Sequence, residues 1–408
     1  MANVSSSNGL EKRPKLRFPG FDEPYRTTLL GEIASLVNRT DPKSNAPIMM
    51  LSAGNGFIMQ SEKYSRDNAG QSLKKYILLK QGELAYNHGA SKVKQFGCCY
   101  ELTEPEARIP YVYHCFKINE DEYTPYVAMA LNNAKMDQQL KRLVSSSVRM
   151  DGLLNISFED YMSVTLNLPS FIEQKHIADF LTKLDERIAY QERLITSLKK
   201  YKRGAVRCLL SAKSCPLRNA RWTTAKMGEL GSFVKGAPLS KADISEDGTP
   251  FILYGELYTT YNEVVTSVKR RTQAQVDETF LSRVGDVVIP TSGETPEEIS
   301  TASCIMLPDV ILAGDLNIFR GDKVDGRIMS YLLNHVVNGK IARIAQGKSV
   351  VHIQASELCK LTLTYPDKNT QNTIIGFLSL LDDKIMNEEN SLAFLSALKE
   401  GLLQQLFI

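Results

Sequence analysis

Four residues in the first third of the chain could hold a metal ion, because cysteine and histidine are the usual ligands of zinc. Cys98, Cys99, His114 and Cys115 lie close together in sequence, but their spacing matches no common zinc site. The seven cysteines are an odd number without a Cys-x-x-Cys pair, which is typical of reduced thiols. We therefore expect buried thiols beside strands and no metal site.

Other catalytic signatures are incomplete. Gly347, Lys348 and Ser349 resemble the end of a phosphate-binding loop, but Ala342 occupies a position where that loop requires glycine. An adenine methyltransferase would need an Asn/Asp-Pro-Pro-aromatic loop, and the chain contains neither a Pro-Pro pair nor a His-Glu-x-x-His motif. We expect no cofactor, and the sequence argues against a self-contained nuclease or methyltransferase.

Residue types suited to DNA occur on several segments that adjoin predicted strands or form short basic runs. Lysine and arginine bind phosphates, whereas amides and hydroxyls can hydrogen-bond to base edges. The net charge of +3 neither requires nor excludes DNA, because binding needs a local basic surface. The alternative for each segment is an ordinary solvated loop. The candidate DNA-binding residues are Tyr86, Asn87, Ser91, Lys92, Lys94, Lys235, Lys241, Lys269, Arg270, Arg271, Ser292, Lys348 and Ser349.

These candidates lie in a chain that repeats itself at an offset of 197 positions. Between residues 40–150 and 237–347 the resemblance is faint, although the flanking segments match. The sequence therefore predicts two copies of one unit, each a variable globular segment followed by a long helix. The matches include Pro169 with Pro366, Gln174 with Gln371, Phe180-Leu181 with Phe377-Leu378, Leu184-Asp185 with Leu381-Asp382, and Leu30-Gly31-Glu32-Ile33 with Met227-Gly228-Glu229-Leu230.

Each copy ends in a proline-free segment whose apolar residues alternate in steps of four and three, which is the pattern of a coiled-coil seam. The first begins with a capping box, Ser170 to Glu173. Polar residues interrupt both seams at equivalent places, Gln191 with Glu388 and Lys202 with Lys399. The predicted seam residues are Ile177, Leu181, Leu184, Ile188, Ile195, Leu198, Ile374, Leu378, Leu381, Ile385, Leu392 and Leu395.

Two such helices most simply pack on each other. Residues 171–211 hold nine Lys/Arg and five Asp/Glu, whereas residues 368–408 hold three and five, so opposite charge favours the pairing modestly. A helix of about 40 residues spans about 60 Å, which would fix the distance between two globular domains. The alternative is two amphipathic helices that only cap their own domains.

Composition indicates an ordinary globular protein of two or three domains, with 43% hydrophobic and 23% charged residues. No apolar run of about 18 residues occurs, so we expect no membrane span. The polar start of the chain favours a cytoplasmic location. The predicted divisions are globular domains at 1–169 and 212–366, and helical spacers at 170–211 and 367–408.

The order of several short motifs, repeated at one spacing, resembles that of the specificity subunits of type I restriction-modification systems. The resemblance covers essentially the whole chain. Three departures are mild: Glu83 replaces the more usual aspartate, Tyr25 stands where the second copy has Trp222, and the second helix opens with Thr370-Gln371. The motifs are Phe18-Pro19-Gly20-Phe21, Gly82-Glu83-Leu84-Ala85-Tyr86-Asn87, Leu168-Pro169, Glu173-Gln174-Lys175-His176-Ile177-Ala178, Leu184-Asp185, Trp222, Met227-Gly228-Glu229-Leu230, Gly285-Asp286-Val287-Val288-Ile289 and Gln404-Gln405-Leu406-Phe407.

The resemblance implies an α+β fold with an internal pseudo-twofold repeat. Two globular target-recognition domains would be joined and separated by two long helices that form an antiparallel coiled coil. It also implies a non-catalytic subunit in which each domain reads one half of a split site in double-stranded DNA. The partners would be two methyltransferase subunits, with motor-nuclease subunits added in the restriction complex. The alternative is a coiled-coil scaffold that binds only protein.

Overall fold

The computed structural model describes residues 13–63, 70–92, 94–144, 154, 156–345 and 351–408. The chain forms two compact units. The first consists of Met1–Gln191 and Ser391–Ile408, and the second of Glu192–Asn390. Two helices of 39 residues, the longest of the described elements, contribute to both units.

The globular part of the first unit is built from short strands and short helices. Its strands are β1 (Arg26–Leu29), β2 (Ala34–Leu36), β3 (Met49–Ser52), β4 (Gly56–Met59), β5 (Ile77–Lys80), β6 (Leu84–Asn87), β7 (Cys98–Glu101), β8 (Glu106–Ile109), β9 (His114–Ile118) and β10 (Thr165–Leu168). Its helices are α1 (Leu30–Ile33), α2 (Gln60–Lys63), α3 (Thr124–Ala130), α4 (Ala134–Leu143) and α5 (Phe158–Met162), with a 3-10 helix at Gly70–Lys75; the long helix α6 (Phe171–Leu209) follows.

The second unit repeats this plan with additional strands. Its strands are β11 (Trp222–Lys226), β12 (Ser232–Lys235), β13 (Thr249–Leu253), β14 (Val264–Val265), β15 (Arg271–Thr272), β16 (Asp286–Pro290), β17 (Ser292–Gly293), β18 (Ser303–Ile305), β19 (Ile311–Ala313), β20 (Leu316–Arg320), β21 (Val351–His352) and β22 (Thr362–Pro366). Its helices are α7 (Met227–Leu230), α8 (Glu256–Thr259), α9 (Pro296–Ile299), α10 (Gly326–His335), α11 (Asn338–Ile344) and α12 (Ala355–Leu358), with 3-10 helices at Lys241–Asp243 and Glu278–Phe280; the long helix α13 (Lys368–Leu406) follows.

The two units share one sheet order. In the first unit it is β2-β9-β6-β7, and in the second β12-β20-β16-β18, extended by β14. All neighbours in these four-strand orders pair antiparallel. The strands that begin after Gly82-Glu83 and at Asp286 are therefore central in their sheets.

The offset of 197 is confirmed in the backbone pairing. Arg26 pairs with Leu168 in the antiparallel ribbon β1–β10, and the ribbon β11–β22 repeats that register with Thr223 and Tyr365. Both long helices begin and end at positions 197 apart. The side-chain amide of Gln174 donates to the carbonyl oxygen of Pro169 at 3.0 Å, and Gln371 does the same to Pro366 at 2.8 Å. The predicted α+β repeat is thus confirmed.

The long helices pair antiparallel within each unit. In the second unit Lys199 contacts Glu389 at 2.6 Å, and Lys202, further along α6, contacts Asp382, earlier along α13, at 2.6 Å. In the first unit Lys399 contacts Asp185. Every residue of the predicted seam is buried or partly buried.

The beginnings of these helices also pack into the globular cores. Ile177 and Leu181 belong to the main core cluster of the first unit, and Ile374 and Leu378 to that of the second. The alternative that the helices only cap their own domains is therefore wrong: each helix packs on a domain at its start and also pairs with the other helix.

A buried charged cluster joins the helix pair to the globular part of the second unit. The ammonium group of Lys202 lies 2.7 Å from the Glu263 carboxylate and 2.6 Å from Asp382. Tyr331 donates its hydroxyl to Asp382 at 2.8 Å, and the His335 ring nitrogen Nε2 lies 2.5 Å from Glu263. We call these five residues the Lys202 cluster. Lys202, which the sequence shows only as a polar interruption of the seam, thus lies at the centre of a network of ion pairs and hydrogen bonds.

The Lys202 cluster predicts a pH-dependent stability. Burial would raise the pKa of Glu263, but contact with His335 and Lys202 outweighs it and lowers the pKa from 4.5 to about 2. A carboxylate with a lowered folded-state pKa stabilises the fold above 4.5 and loses this contribution as pH falls toward 2. We expect Glu263→Gln to lose on the order of 3 kcal/mol in urea unfolding at pH 6, and the difference to shrink below pH 4.5. A difference that stays constant from pH 6 to pH 3 would contradict this.

Candidate DNA-reading surfaces

The central strand of each unit is entered by the same turn. Gly82 and Gly285 adopt positive φ angles of 82° and 96°, which favour glycine. The carboxylate of the next residue accepts a hydrogen bond from the backbone nitrogen three residues earlier, at 2.8 Å for Glu83 and 2.9 Å for Asp286. Each carboxylate also pairs with an arginine. Glu83 therefore makes the same contacts as Asp286, so its departure from aspartate leaves the turn intact.

Three loops meet where β6 ends in the first unit. The ring of His88 lies between two carbonyl oxygens, with Nδ1 2.8 Å from Leu154 and Nε2 2.9 Å from Val112. The Asn87 amide reaches the Leu51 carbonyl oxygen of the β3–β4 hairpin at 3.5 Å. These contacts hold the hairpin, the loop after β8 and the loop after β6 at one edge of the sheet.

Tyr86 is a core residue and is not placed to contact DNA. Its side chain is 1% exposed and stacks on Tyr161 at 3.8 Å between ring centroids. Its hydroxyl donates to the Phe96 carbonyl oxygen at 2.6 Å. The prediction treated the residue as part of the loop, but it is the third residue of β6 and points into the core.

The loop after β6 uses most of its polar candidates internally. The side-chain oxygen of Asn87 accepts from the backbone of Gly89 at 2.9 Å, and the Ser91 hydroxyl oxygen accepts from the backbone of Lys94 at 3.0 Å. The Lys94 ammonium donates to the Asn132 carbonyl oxygen at 2.6 Å. Lys92 is exposed. Of the two lysines predicted here, Lys92 is the better placed to meet a phosphate.

Neighbouring loops add exposed side chains that sequence reasoning missed. Tyr111, beside Val112, is 51% exposed, and the ammonium group of Lys75 lies 5.8 Å from the centre of its ring. Asn55 is exposed at the turn of the β3–β4 hairpin, and Gln95 in the loop after β6. Contacts between residues distant in sequence, such as those of Asn87 and His88, bring these segments together, so position in the sequence gave no signal.

The two lysines of this loop should respond differently to removal. We expect Lys92→Ala to weaken DNA binding by the assembled complex for all sequences and to lower the salt slope by about one, as loss of one phosphate contact does. Lys94→Ala should leave the salt slope unchanged and lower stability by about 1–2 kcal/mol, because a hydrogen bond from a charged group is lost. Affinity titrations at several salt concentrations, with urea unfolding as the parallel measurement, test both. An unchanged salt slope for Lys92→Ala would contradict the assignment of Lys92 as a phosphate contact.

The basic candidates of the second unit are mostly exposed. Lys235 ends β12, and Lys241 opens a 3-10 helix. Lys269 and Arg271 lie near and in β15, and both are exposed. The Ser245 backbone nitrogen donates to the Arg271 carbonyl oxygen at 2.9 Å, so the segment after Lys241 runs beside β15. These segments form the best supported basic surface of this unit.

Ion pairing and burial affect two other predicted residues of the second unit. Arg270 contacts the buried Glu256 carboxylate at 2.8 Å, but its side chain is 35% exposed, so its assignment stays a prediction. Ser292 is buried, and its hydroxyl donates to Asp315 at 2.8 Å. Lys348 and Ser349 lie outside the described residues, so their assignment stays a prediction.

The cysteines near His114 are buried thiols, as expected. Cys98 and Cys99 lie in β7 and Cys115 in β9, and all three are buried. Burial raises the pKa of Cys98 to about 11 and that of Cys115 to about 12, which keeps these thiols protonated. The His114 ring contacts the Ile156 carbonyl oxygen at 3.0 Å. Among the described residues, no group of three or more His, Cys, Asp or Glu could hold a metal ion.

The fold is shared with solved type I restriction-modification proteins. The S subunit of a type I restriction-modification system from M. genitalium matches 97% of this chain and 99% of its own, with a TM-score of 0.61 and 14% identity. A chain from a structure concerning complex assembly and conformational transition of the type I R-M system matches 95% of this chain and 98% of its own, with a TM-score of 0.54 and 16% identity. At these identities the matches establish the fold.

A family model matches part of the sequence. Residues 219–395, which lie in the second copy, match the family model of the type I restriction modification DNA specificity domain. The resemblance to type I specificity subunits is thereby confirmed. No curated protein matches the chain. Within the described part of the chain, no helix has the length and apolar character needed to cross a bilayer.

Proposed function

We propose that the chain is the non-catalytic DNA-specificity subunit of a type I restriction-modification complex acting in the cytoplasm. Residues 1–169 and 212–366 each read one half of a bipartite target in double-stranded DNA. The helical segments 170–211 and 367–408 set the gap between the half-sites and bind two methyltransferase subunits. Motor-nuclease subunits join in the restriction complex, and the chain itself needs no cofactor.

The observation that carries this proposal is that both units share one backbone framework but present different exposed side chains. The ribbon register, the long helices and the four-strand order recur in both units. The exposed side chains do not recur: Lys92 and Tyr111 stand at the edge of one sheet, and Lys241 and Arg271 adjoin another. Two domains that share a scaffold but differ in their loops are suited to recognise two half-sites of different sequence.

The helix pair supplies a physical reason for a fixed gap. Each helix has 39 residues, which span about 58 Å at 1.5 Å per residue. Within each unit the two helices are tied by ion pairs and buried apolar residues. A paired helix bends far less than a linker of the same length, so the distance that it sets varies little.

DNA binding by the purified chain together with its methyltransferase subunit tests the proposal. We expect this complex to bind and methylate DNA carrying the target, with tighter binding than to DNA of scrambled sequence by at least about 10³-fold. The chain alone should transfer no methyl group from a labelled donor. A scaffold that binds only protein would assemble with the methyltransferase yet leave it without sequence preference, and that result would refute the proposal.

A further inference from the structure

A tight turn between β8 and β9 exposes two large apolar side chains at the edge of the first unit's sheet. The Tyr113 backbone nitrogen donates to the Pro110 carbonyl oxygen at 3.0 Å, which leaves Tyr111 and Val112 at the tip of the turn. Their side chains are 51% and 37% exposed. Apolar side chains can contact the methyl group of thymine in the major groove. A turn of this kind is suited to contact a base edge when its position is fixed.

The ring of His88 fixes this turn in a way that depends on its protons. Nε2 lies 2.9 Å from the carbonyl oxygen of Val112, and Nδ1 lies 2.8 Å from that of Leu154. A carbonyl oxygen can only accept a hydrogen bond, and a neutral imidazole has a single N–H group to donate. A neutral ring would therefore point a nitrogen lone pair at one of the two oxygens. The imidazolium, which has a proton on each nitrogen, can donate to both.

The titratable neighbours of His88 favour their neutral forms. His114 of β9 stacks on the ring with centroids 5.0 Å apart, and Tyr86 of β6 lies at 6.3 Å. Burial lowers the pKa of His114 and the charge of His88 acts in the same direction, against the Ile156 carbonyl contact and Glu159. Burial also raises the pKa of Tyr86. In this cluster His88 is therefore the group suited to carry a positive charge, with aromatic faces beside it.

The second unit builds the equivalent edge with an amide in place of one of these histidines. Asn317 takes the position of His114, because each pairs with the fourth residue after the glycine that opens the central strand. The His114 ring contacts the Ile156 carbonyl oxygen at 3.0 Å, and the Asn317 amide donates to that of Ile353, 197 positions later, at 3.2 Å. The same contact is thus made by a side chain that does not titrate.

The position of His88 is also taken by a residue that does not titrate. Thr291 is the sixth residue after its glycine, as His88 is after its own. The backbone nitrogen of Leu154 donates to the His88 carbonyl oxygen at 2.9 Å, and that of Ile353 donates to the Thr291 carbonyl oxygen at 2.9 Å. The backbone arrangement is therefore shared, whereas the dependence on a histidine belongs to the first unit.

We propose that His88 is a positioning residue that makes recognition of the first unit's half-site sensitive to pH. The imidazolium holds the Tyr111–Val112 turn and Leu154 together at the edge of the sheet, and loss of one proton releases one of the two segments. The inference rests on the proposed function and deepens it, since the two half-sites respond differently to pH. Histidine changes its charge between about pH 5 and pH 8, so recognition by the first unit weakens as pH rises through this range.

The test compares the two half-sites within one complex. The chain assembled with its methyltransferase subunit is titrated with the intact target and with targets in which one half-site is scrambled. The ratio of the two affinities cancels the general effect of pH on phosphate binding, and a chimera of residues 40–150 identifies the half-site of the first unit. From about pH 6 to pH 8 we expect this ratio to fall about tenfold for the first half-site, the effect of about one hydrogen bond, and to stay constant for the second.

Two variants separate the proton from the packing of the ring. His88→Gln cannot gain a proton and cannot donate to both carbonyl oxygens, so its ratio for the first half-site should be low at both pH values. His114→Asn is the matched control, because it installs the amide that the second unit has at Asn317. This variant should keep the fall of the ratio with pH.

A first half-site ratio that stays constant with pH in the wild type would overturn the inference, and so would equal falls at both half-sites. This wild-type measurement decides the question even if a variant does not fold. A fall that persists in His88→Gln would overturn it as well, because another group would then carry the proton. A complex without preference for its target at any pH would instead refute the proposed function.

Discussion

A chain whose residues 40–150 are replaced by the corresponding segment of a relative with another target should direct methylation to a hybrid site. One half-site should change to that of the donor, and the other half-site and the gap should stay the same. The segment contains β3 to β9 with the loops that carry Lys92 and Tyr111, whereas the ribbon β1–β10 and both long helices lie outside it. Because specific binding exceeds non-specific binding by at least about 10³-fold, loss of the original half-site should be complete in practice.

The matched control is replacement of residues 237–347, which should change only the other half-site. Both chimeras must keep the contact between the globular part and its helix, where the Tyr123 backbone donates to Gln174 at 2.9 Å and the Asp325 backbone to Gln371 at 2.9 Å. Methylation maps of cells carrying each chimera give the readout. If one replacement altered both half-sites, the proposal that each unit reads one half-site would be wrong.

Lys202→Met should be among the most destabilising single substitutions in the second unit. The lysine side chain is 10% exposed and is shared by two carboxylates. Removing one partner of a buried ion pair leaves an uncompensated buried charge, at a cost of about 3–5 kcal/mol. Methionine preserves most of the volume and the apolar stem of lysine, so the loss reports on charge rather than packing. Urea unfolding followed by intrinsic fluorescence measures it.

Lys399→Met is the natural control because it occupies the same position of the repeat. Lys399 pairs with Asp185, but its side chain is 32% exposed. An ion pair so open to water contributes about 0–1 kcal/mol. A cost for Lys399→Met equal to that for Lys202→Met would mean that seam position, and not the buried cluster, sets the effect.

The frame of the molecule was predictable because it depends on local patterns. Pro169 and Pro366 each precede a proline-free segment. Within that segment, apolar residues at alternating steps of four and three predict a helix that buries one narrow stripe of apolar side chains. These patterns predict the repeat from the sequence alone, and the helices begin at Phe171 and Lys368, which are 197 positions apart. The segments that begin at Gly82 and Gly285 were marked only by their resemblance to the family, and they contain the central strands.

The site was predictable only in part, because burial of single side chains depends on contacts distant in sequence. Tyr86 is buried by Tyr161, and Arg270 is held by Glu256. The sequence shows these residues as polar or basic beside a strand, and nothing local distinguishes them from Lys92 or Arg271. The Lys202 cluster was hidden for the same reason, since its carboxylates come from separate elements.

Mapping of methylated adenines in a host carrying the wild-type chain with its methyltransferase subunit tests the central claim most directly. If two different domains recognise DNA at a fixed separation, the methylated sites share one motif of two short specified halves. The unspecified gap between the halves then has the same length at every modified site. A single continuous motif, or halves separated by gaps of varying length, would contradict the account.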